Sequence, residues 1–141
     1  MAIDRRTQIV RQGVGLCLAT LCIFSACSPA EGPESVAQSF VERYYVRPDL
    51  PGAKALAEGL ARAKIEDEEQ LVQGTSRADG AAGRKVSYSL YTTRKMGEDR
   101  IFVVYDIAIS VDSRVMKKRA FISTARMKEG WRVTNFQEED I

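Results

Sequence analysis

One acidic residue lies inside the most apolar stretch of the chain, which makes it a candidate for acid–base chemistry. Asp106 interrupts the run 101–111, on the side that carries Phe102. A carboxylate in an apolar cavity has a raised pKa and can act as a general base. The competing interpretation is a strand-surface aspartate that faces a cation, because the expected hairpin turn brings Lys118 and Arg119 close to it.

The sequence lacks the residues that most other catalytic mechanisms use. The chain has no histidine, which removes the commonest general base and the commonest metal ligand. The sequence contains neither a glycine-rich phosphate loop nor a metal-ligand spacing, so no cofactor and no metal are expected. The acidic run 66–69 is expected to be a solvated helix face, because consecutive helical positions diverge. The basic run 117–119 alternates across a strand and therefore forms no single patch.

Length and charge limit the class of protein. A chain of 141 residues suits one domain with a tail, and 45% hydrophobic residues suffice for an ordinary core. The formal net charge of +2 gives no reason to expect nucleic-acid binding. Asp4, Arg5, Arg6 and Arg11 account for all of this charge, so the rest of the chain is formally neutral.

The N-terminal segment has the pattern of an export signal. Arg5, Arg6 and Arg11 precede an uncharged run whose most apolar part is 13–26. A basic start followed by an apolar core and small residues is typical of a secretory signal peptide. A helix of that length is too short for the hydrocarbon core of a bilayer. The alternative is an uncleaved transmembrane anchor formed by the whole uncharged run 12–30.

Cys27 ends this segment, after Phe24, Ser25 and Ala26. The string resembles the lipobox of bacterial lipoproteins, in which small residues precede a lipid-bearing cysteine. The resemblance implies cleavage after Ala26 and acylation of Cys27. Phe24 departs from the aliphatic residue that is usual at its position. Ser28 after the cysteine implies an outer-membrane location facing the periplasm if the host has two membranes.

Cleavage would also simplify the cysteine chemistry. Cys17 and Cys22 lie in the apolar core of the signal, so Cys27 would be the only cysteine that remains. The mature chain would then form no intrachain disulfide. The expected organisation is a signal peptide at 1–26, a lipid-bearing tether at 27–33 and a folded domain at 34–141.

Helices are expected before strands. Apolar residues at helical spacing predict a helix over 34–46 and a second helical region from Pro51, interrupted at Gly59. Period-two alternation predicts strands over 85–94, 101–111, 115–127 and 131–136, followed by an acidic tail at 137–141. Because the strand at 101–111 has apolar residues on both sides, it is expected to be covered on both faces for part of its length.

Helices followed by antiparallel strands argue for an α+β fold. This order resembles the nuclear transport factor 2-like, or cystatin-like, cone, on the segments 36–45, 51–74 and 130–140. The resemblance implies N-terminal helices packed on a curved antiparallel sheet of about four strands. It says little about function, because the family hosts isomerases, dehydratases, ligand binders and adaptors.

The resemblance also implies roles for aromatic residues. A tyrosine in the isomerase members donates a hydrogen bond to a developing oxyanion, which would make Tyr44 or Tyr45 the partner of Asp106. The competing interpretation places both tyrosine rings in the core. Trp131 is likewise expected as a lid on the core or as a platform for a ligand. The residues expected to line a pocket in the cone are Phe40, Tyr44, Tyr88, Phe102 and Trp131.

Three functions remain open at this point. The favoured one is a lipid-anchored, non-enzymatic domain that binds a small apolar ligand or a protein of the cell envelope. The second is a small isomerase or dehydratase that uses Asp106 with a tyrosine. The third is an adaptor or scaffold that forms a homodimer through the sheet face, a common site of pairing among cone-fold relatives.

Overall fold

The computed structural model describes residues 32–73 and 83–141. The expected signal peptide, the cleavage site after Ala26 and the lipid-bearing Cys27 lie outside the described residues. The helices are α1 (Pro33–Val41), α2 (Leu50–Ala55) and α3 (Gly59–Leu71), with a π-helical segment (Glu42–Val46) directly after α1. The strands are β1 (Arg84–Lys95), β2 (Arg100–Val111), β3 (Arg114–Met127) and β4 (Gly130–Asp140).

The first helix and the π-helical segment that follows it form one continuous helix over 33–46, which confirms the helix predicted over 34–46. Pro33 lies in the first turn, where its missing N–H costs nothing, and Glu34 complements the positive end of the helix. In the wider last turn, the Arg47 N–H donates to the Glu42 carbonyl at 2.9 Å. This widening lets the consecutive Tyr44 and Tyr45 both contact the core.

The second helical region divides into α2 and α3 around a short contact with β4. Gly59 has a φ of +58°, which an L-residue rarely adopts, and Glu58 before it is extended. The Val133 N–H donates to the Leu56 carbonyl, and the Glu58 N–H donates to the Val133 carbonyl, both at 2.9 Å. These two bonds replace the helical ones and fasten the helix layer to the sheet.

The four strands form an antiparallel meander in the order β1-β2-β3-β4. The fourth strand is longer than predicted, because 137–140 continues β4 and is not a tail. Lys118 of β3 forms ion pairs with Glu138 and Asp140 of β4, so the acidic run is held by a basic residue across the ladder. The α+β fold class and the four-stranded sheet are confirmed.

The two faces of this sheet have different surroundings. On the inner face, alternate residues of β2 join one cluster with every buried residue of the helices. Those β2 residues are Ile101, Val103, Tyr105, Ile107 and Ile109. The outer face carries the intervening positions, and no helix or strand within 32–73 and 83–141 packs on it. The expected cover on both faces of β2 is therefore found on one face only, as far as the described chain extends.

Candidate functional site

Asp106 lies on the outer face, directly opposite Arg119 of β3. Arg119 Nε donates to Asp106 Oδ1 at 2.7 Å, and Nη2 donates to Oδ2 at 3.2 Å. These hydrogen bonds lower the pKa of Asp106 below its usual range, although partial desolvation opposes the shift. The raised pKa that the acid–base interpretation requires is absent, because the carboxylate faces away from the core and a guanidinium holds it. The geometry is that of a surface aspartate facing a cation.

Tyr44 lies against two other rings and has its hydroxyl engaged. Its ring stacks on Phe40 with the centroids 5.5 Å apart and packs on Phe136 at 4.9 Å. The hydroxyl donates to Glu68 Oε2 at 2.5 Å. A phenol already bound to a carboxylate is a poor donor for an oxyanion, so Tyr44 acts here as a link between α3 and the end of the first helix.

Tyr45 is buried in the core, and its hydroxyl is a buried polar group without a hydrogen-bond partner among the described residues. It is 3% exposed and meets Tyr44 edge-on, with the ring centroids 4.8 Å apart. Burial, with a smaller contribution from the nearby Glu138 carboxylate, raises the pKa of Tyr45 far above its ordinary value. Even so, neither Glu138 nor any other described group meets hydrogen-bond geometry with the Tyr45 hydroxyl. Tyr45 and Asp106 lie on opposite sides of the sheet and cannot act together.

The other residues expected to line a pocket do not converge either. Phe40 is fully buried in the core, and the Tyr88 hydroxyl donates to Glu42 Oε1 at 2.7 Å. Phe102 is on the outer face, because it occupies an alternate position of β2 relative to the core residues. Trp131 lies at the end of the sheet where α1 begins. The buried residues of the helices and of the inner sheet face pack into one cluster, and an opening of about 470 Å³ is lined by Tyr44, Lys64 and Phe136 beside it.

A cleft of about 1140 Å³ opens at the end of the molecule where α1 begins. Its walls are the start of α1, the β1–β2 turn and the β3–β4 turn, and Trp131 contributes one wall. The walls carry charged side chains of both signs, unlike the apolar lining typical of a small-molecule pocket. Within the described ranges, no three acidic side chains come together as metal ligands.

The outer face of the sheet carries an aromatic surface, which we call the outer-face patch. It consists of Tyr91, Phe102, Val104, Phe121 and the ion pair Asp106–Arg119. Phe102 stacks on Phe121 with the centroids 5.9 Å apart, and the Arg119 guanidinium lies 3.9 Å from the centre of the Tyr91 ring. Tyr91 sits at a register shift in β1 and is 58% exposed. Val104 is buried, and the other members besides Tyr91 are half-buried. Aromatic side chains and arginine clustered at a surface are characteristic of protein-binding sites.

From the sequence, Phe102 was expected in the pocket lining and Asp106 remained open between a cavity and the strand surface, so this patch was not predicted. The sequence signal that locates the patch is the alternation in 101–111: every odd position is apolar or aromatic, whereas the even positions include Asp106 and Ser110. The odd positions are therefore the inner side. Once the odd positions face the helices, the even positions form the outer face. The register shift that presents Tyr91 has no such signal in the sequence.

Comparisons with known proteins identify the fold. No protein-family model matches the sequence, and no curated protein matches it significantly. The structure is similar to a ketosteroid isomerase-like protein from Erwinia carotovora atroseptica, with a TM-score of 0.57 and 12% identity over 77% of this chain and 93% of that chain. It is also similar to the VirB8 protein of Agrobacterium tumefaciens, with a TM-score of 0.55 and 9% identity over 77% of this chain and 90% of that chain.

A nuclear transport factor 2-like protein of unknown function from Shewanella oneidensis gives a TM-score of 0.55 and 8% identity over 73% of this chain and 92% of that chain. The chain therefore has the nuclear transport factor 2-like cone fold that its sequence resembles. At these identities the likeness concerns the fold alone, since the fold hosts unrelated functions. Of the helices described, none is long and apolar enough to cross a membrane.

Proposed function

We propose that this protein is an exported lipoprotein of the cell envelope, anchored through Cys27, and that its cone domain is a non-enzymatic protein-binding module. The module pairs with a second copy of the chain through the outer-face patch. The lipobox-like string ending at Cys27 supports the anchor. The aromatic patch on a sheet face that no described element covers is the observation that carries the binding role.

The composition of the patch favours protein as its occupant. Its centre is apolar, since Val104 is only 3% exposed although it does not belong to the core cluster. Phe102 and Phe121 flank it, and Tyr91 adds a large ring that is fixed by Arg119. Rigid aromatic rings bury much apolar area at a low cost in conformational entropy.

The charges of the patch favour a second copy over a partner of one charge sign. Asp106 and Arg119 lie side by side, so a twofold axis that passes between them, perpendicular to the line that joins them, brings each near its opposite on the other copy. A shared membrane also confines the copies and raises their effective concentration. A weak intrinsic affinity is therefore sufficient for pairing.

The alternatives receive less support from the geometry. A small apolar ligand needs an apolar cavity, whereas the core residues pack into one cluster and the cleft beside Trp131 mixes apolar side chains with charges of both signs. An isomerase needs a base next to substrate, whereas Asp106 is outside the cone and has a lowered pKa.

The anchor is tested by growing cells with labelled palmitate. The wild-type chain is expected to take up label and to lose residues 1–26, and Cys27→Ala is expected to lose both properties. Cys22→Ala, inside the expected signal peptide, is the matched control and keeps them. Label on the Cys27→Ala protein would contradict lipidation, and an unprocessed wild-type chain would point to a transmembrane anchor instead.

Pairing is tested in intact cells with a photo-cross-linking phenylalanine analogue at position 121. The analogue is expected to join two copies of the chain, with cross-linked peptides from both. The same analogue at Leu60, which is 56% exposed on α3, is the control and gives no dimer. Adducts of position 121 with only other proteins would overturn self-pairing, and equal adducts at both positions would overturn the binding role of the patch.

A further inference from the structure

The two hairpin turns at the cleft end of the molecule have the composition of a membrane-contacting surface. We call this end the tip surface, and it comprises the β1–β2 turn, the β3–β4 turn and the cleft between them. Met96 is 60% exposed at the first turn, and Met127 is 41% exposed where β3 ends. Two flexible apolar side chains at neighbouring tips suit insertion among lipid headgroups.

Basic side chains flank both methionines. Lys95 and Lys128 line the cleft and have no ion-pair partner among the residues that the structure describes. Arg126 reaches Asp99 only at 3.9 Å and lies 5.2 Å from the centre of the Trp131 ring. Such cations, next to exposed apolar tips, can bind headgroup phosphates.

Acidic residues on the same walls define the kind of headgroup. Glu34 and Glu98 line the cleft together with the two lysines. A zwitterionic phospholipid offers a phosphate to the lysines and an ammonium to the carboxylates. A purely anionic headgroup would leave the carboxylates without a favourable contact.

The position of the tether brings this end to the membrane. The described domain begins at Gly32, which lies on the cleft wall. Five residue steps separate Gly32 from Cys27, so the chain between them spans at most about 17 Å. A lipid on Cys27 therefore keeps the tip surface, and not the β2–β3 turn at the far end of the strands, near the headgroups.

We infer that the tip surface docks on a bilayer of zwitterionic phospholipid, with Met96 and Met127 at the headgroup level and Lys95 and Lys128 on the phosphates. This inference rests on the proposed lipid anchor at Cys27. It places the strands along the membrane normal. The outer-face patch then faces sideways, toward a second copy on the same membrane.

The test uses the lipidated protein in phosphatidylethanolamine–phosphatidylcholine vesicles, labelled with an environment-sensitive fluorophore. Met96→Cys and Met127→Cys each carry the label in a separate preparation. The label reacts only with the introduced cysteine, because the sulfur of Cys27 bears the lipid. Val115→Cys is the control, since Val115 is also 60% exposed but lies beside the β2–β3 turn. Labels at 96 and 127 are expected to shift to shorter wavelength and to be quenched by headgroup-level nitroxide lipids, whereas the label at 115 is not.

Flotation of the same vesicles separates the two possible failures. Protein that floats with equal quenching at 96, 127 and 115 overturns the docked orientation and leaves the anchor intact. Protein that does not float overturns the anchor and the docking together.

A charge variant then tests the lysines. Lys95→Gln with Lys128→Gln is expected to lower the ratio of docked to undocked protein about twofold for each charge removed, the size of an exposed ion-pair contact. Lys117→Gln, near the far end of β3, is the control and leaves the ratio unchanged. Equal ratios for both variants would contradict a role for the lysines in docking.

Discussion

The two faces of the sheet are built from alternate residues of the same strands, yet they have different surroundings. On the inner face, Tyr105 and Ile107 of β2 lie in a cluster that includes Phe40 and Tyr45 of the helix layer. On the outer face, Phe102 stacks on Phe121 and Asp106 accepts from Arg119, both of the neighbouring strand β3. Residues two positions apart therefore share one environment, and residues one position apart do not.

This difference shows why candidate chemistry failed to assemble into a site. Tyr44 and Tyr45 lie on the inner side of the sheet. The Tyr44 hydroxyl is already hydrogen-bonded to Glu68, and Tyr45 is buried in the core. The aspartate is on the outer side, where Arg119 neutralises it. The sheet separates the groups that an isomerase would need together, and it leaves the outer face as the surface with unused apolar area.

The largest effect is expected from emptying the inner face. Phe40 is completely buried and contacts the rings of Tyr44 and Phe136. Phe40→Ala should lower the free energy of unfolding by about 3–5 kcal/mol, because a cavity is added to the lost transfer energy. Urea denaturation followed by far-UV circular dichroism measures it.

Phe102→Ala is the outer-face control for that variant, because it deletes the same side chain at a partly exposed position. Its effect on a monomer should be well below that of Phe40→Ala. Equal losses for the two variants would break the distinction between the faces.

A second expected effect appears at alkaline pH. Burial, with smaller contributions from Tyr88 and Glu34, raises the pKa of Tyr105 to about 12. Above pH ~10, tyrosine ionises in the unfolded chain before it does in the folded one, so stability falls as pH rises. Between pH ~10 and ~12 this loss should reach about 2 kcal/mol for Tyr105.

Tyr105→Phe should remove the part of the fall in unfolding free energy at alkaline pH that Tyr105 causes. Denaturation curves at a series of pH values measure this difference. The same slope in wild type and Tyr105→Phe would show that the Tyr105 ring is not buried among apolar groups.

Tyr45→Phe should have a smaller effect, and of the opposite sign. The variant removes a buried hydroxyl that lacks a hydrogen-bond partner, so the free energy of unfolding should stay level or rise by about 1 kcal/mol. Tyr44→Phe is the matched control and should destabilise, because it removes the hydrogen bond to Glu68. A marked loss for Tyr45→Phe would mean that its hydroxyl has a partner that stabilises the fold.

The smallest effect on folding is expected at the outer-face ion pair. Asp106→Asn should leave the thermal midpoint nearly unchanged, since exposed ion pairs contribute little. Nuclear magnetic resonance titration should find the carboxyl pKa of Asp106 below its ordinary value in the wild type. A raised value would restore the case for Asp106 as a base.

The helices and strands of this fold could be predicted from the sequence more fully than the outer-face patch. Strand boundaries were predicted to within a residue or two for β1, β2 and β3, because period-two alternation reports burial directly. The end of β4 was missed, since its acidic residues look like a tail until Lys118 is placed across from them. Phe102 was expected in the pocket and the side of Asp106 was left open, because an apolar strand alone does not say which side the helices cover.

The central claim is that the outer-face patch joins two copies of the chain, and sedimentation equilibrium tests it most directly. The sample is chain 27–141 with Cys27→Ser, which prevents both acylation and disulfide pairing. It is expected to form a dimer, and Phe121→Arg is expected to weaken that dimer at least about tenfold. Leu60→Arg on α3 should leave it unchanged. A monomer up to about 1 mM, the effective concentration that tethering supplies, would contradict the claim.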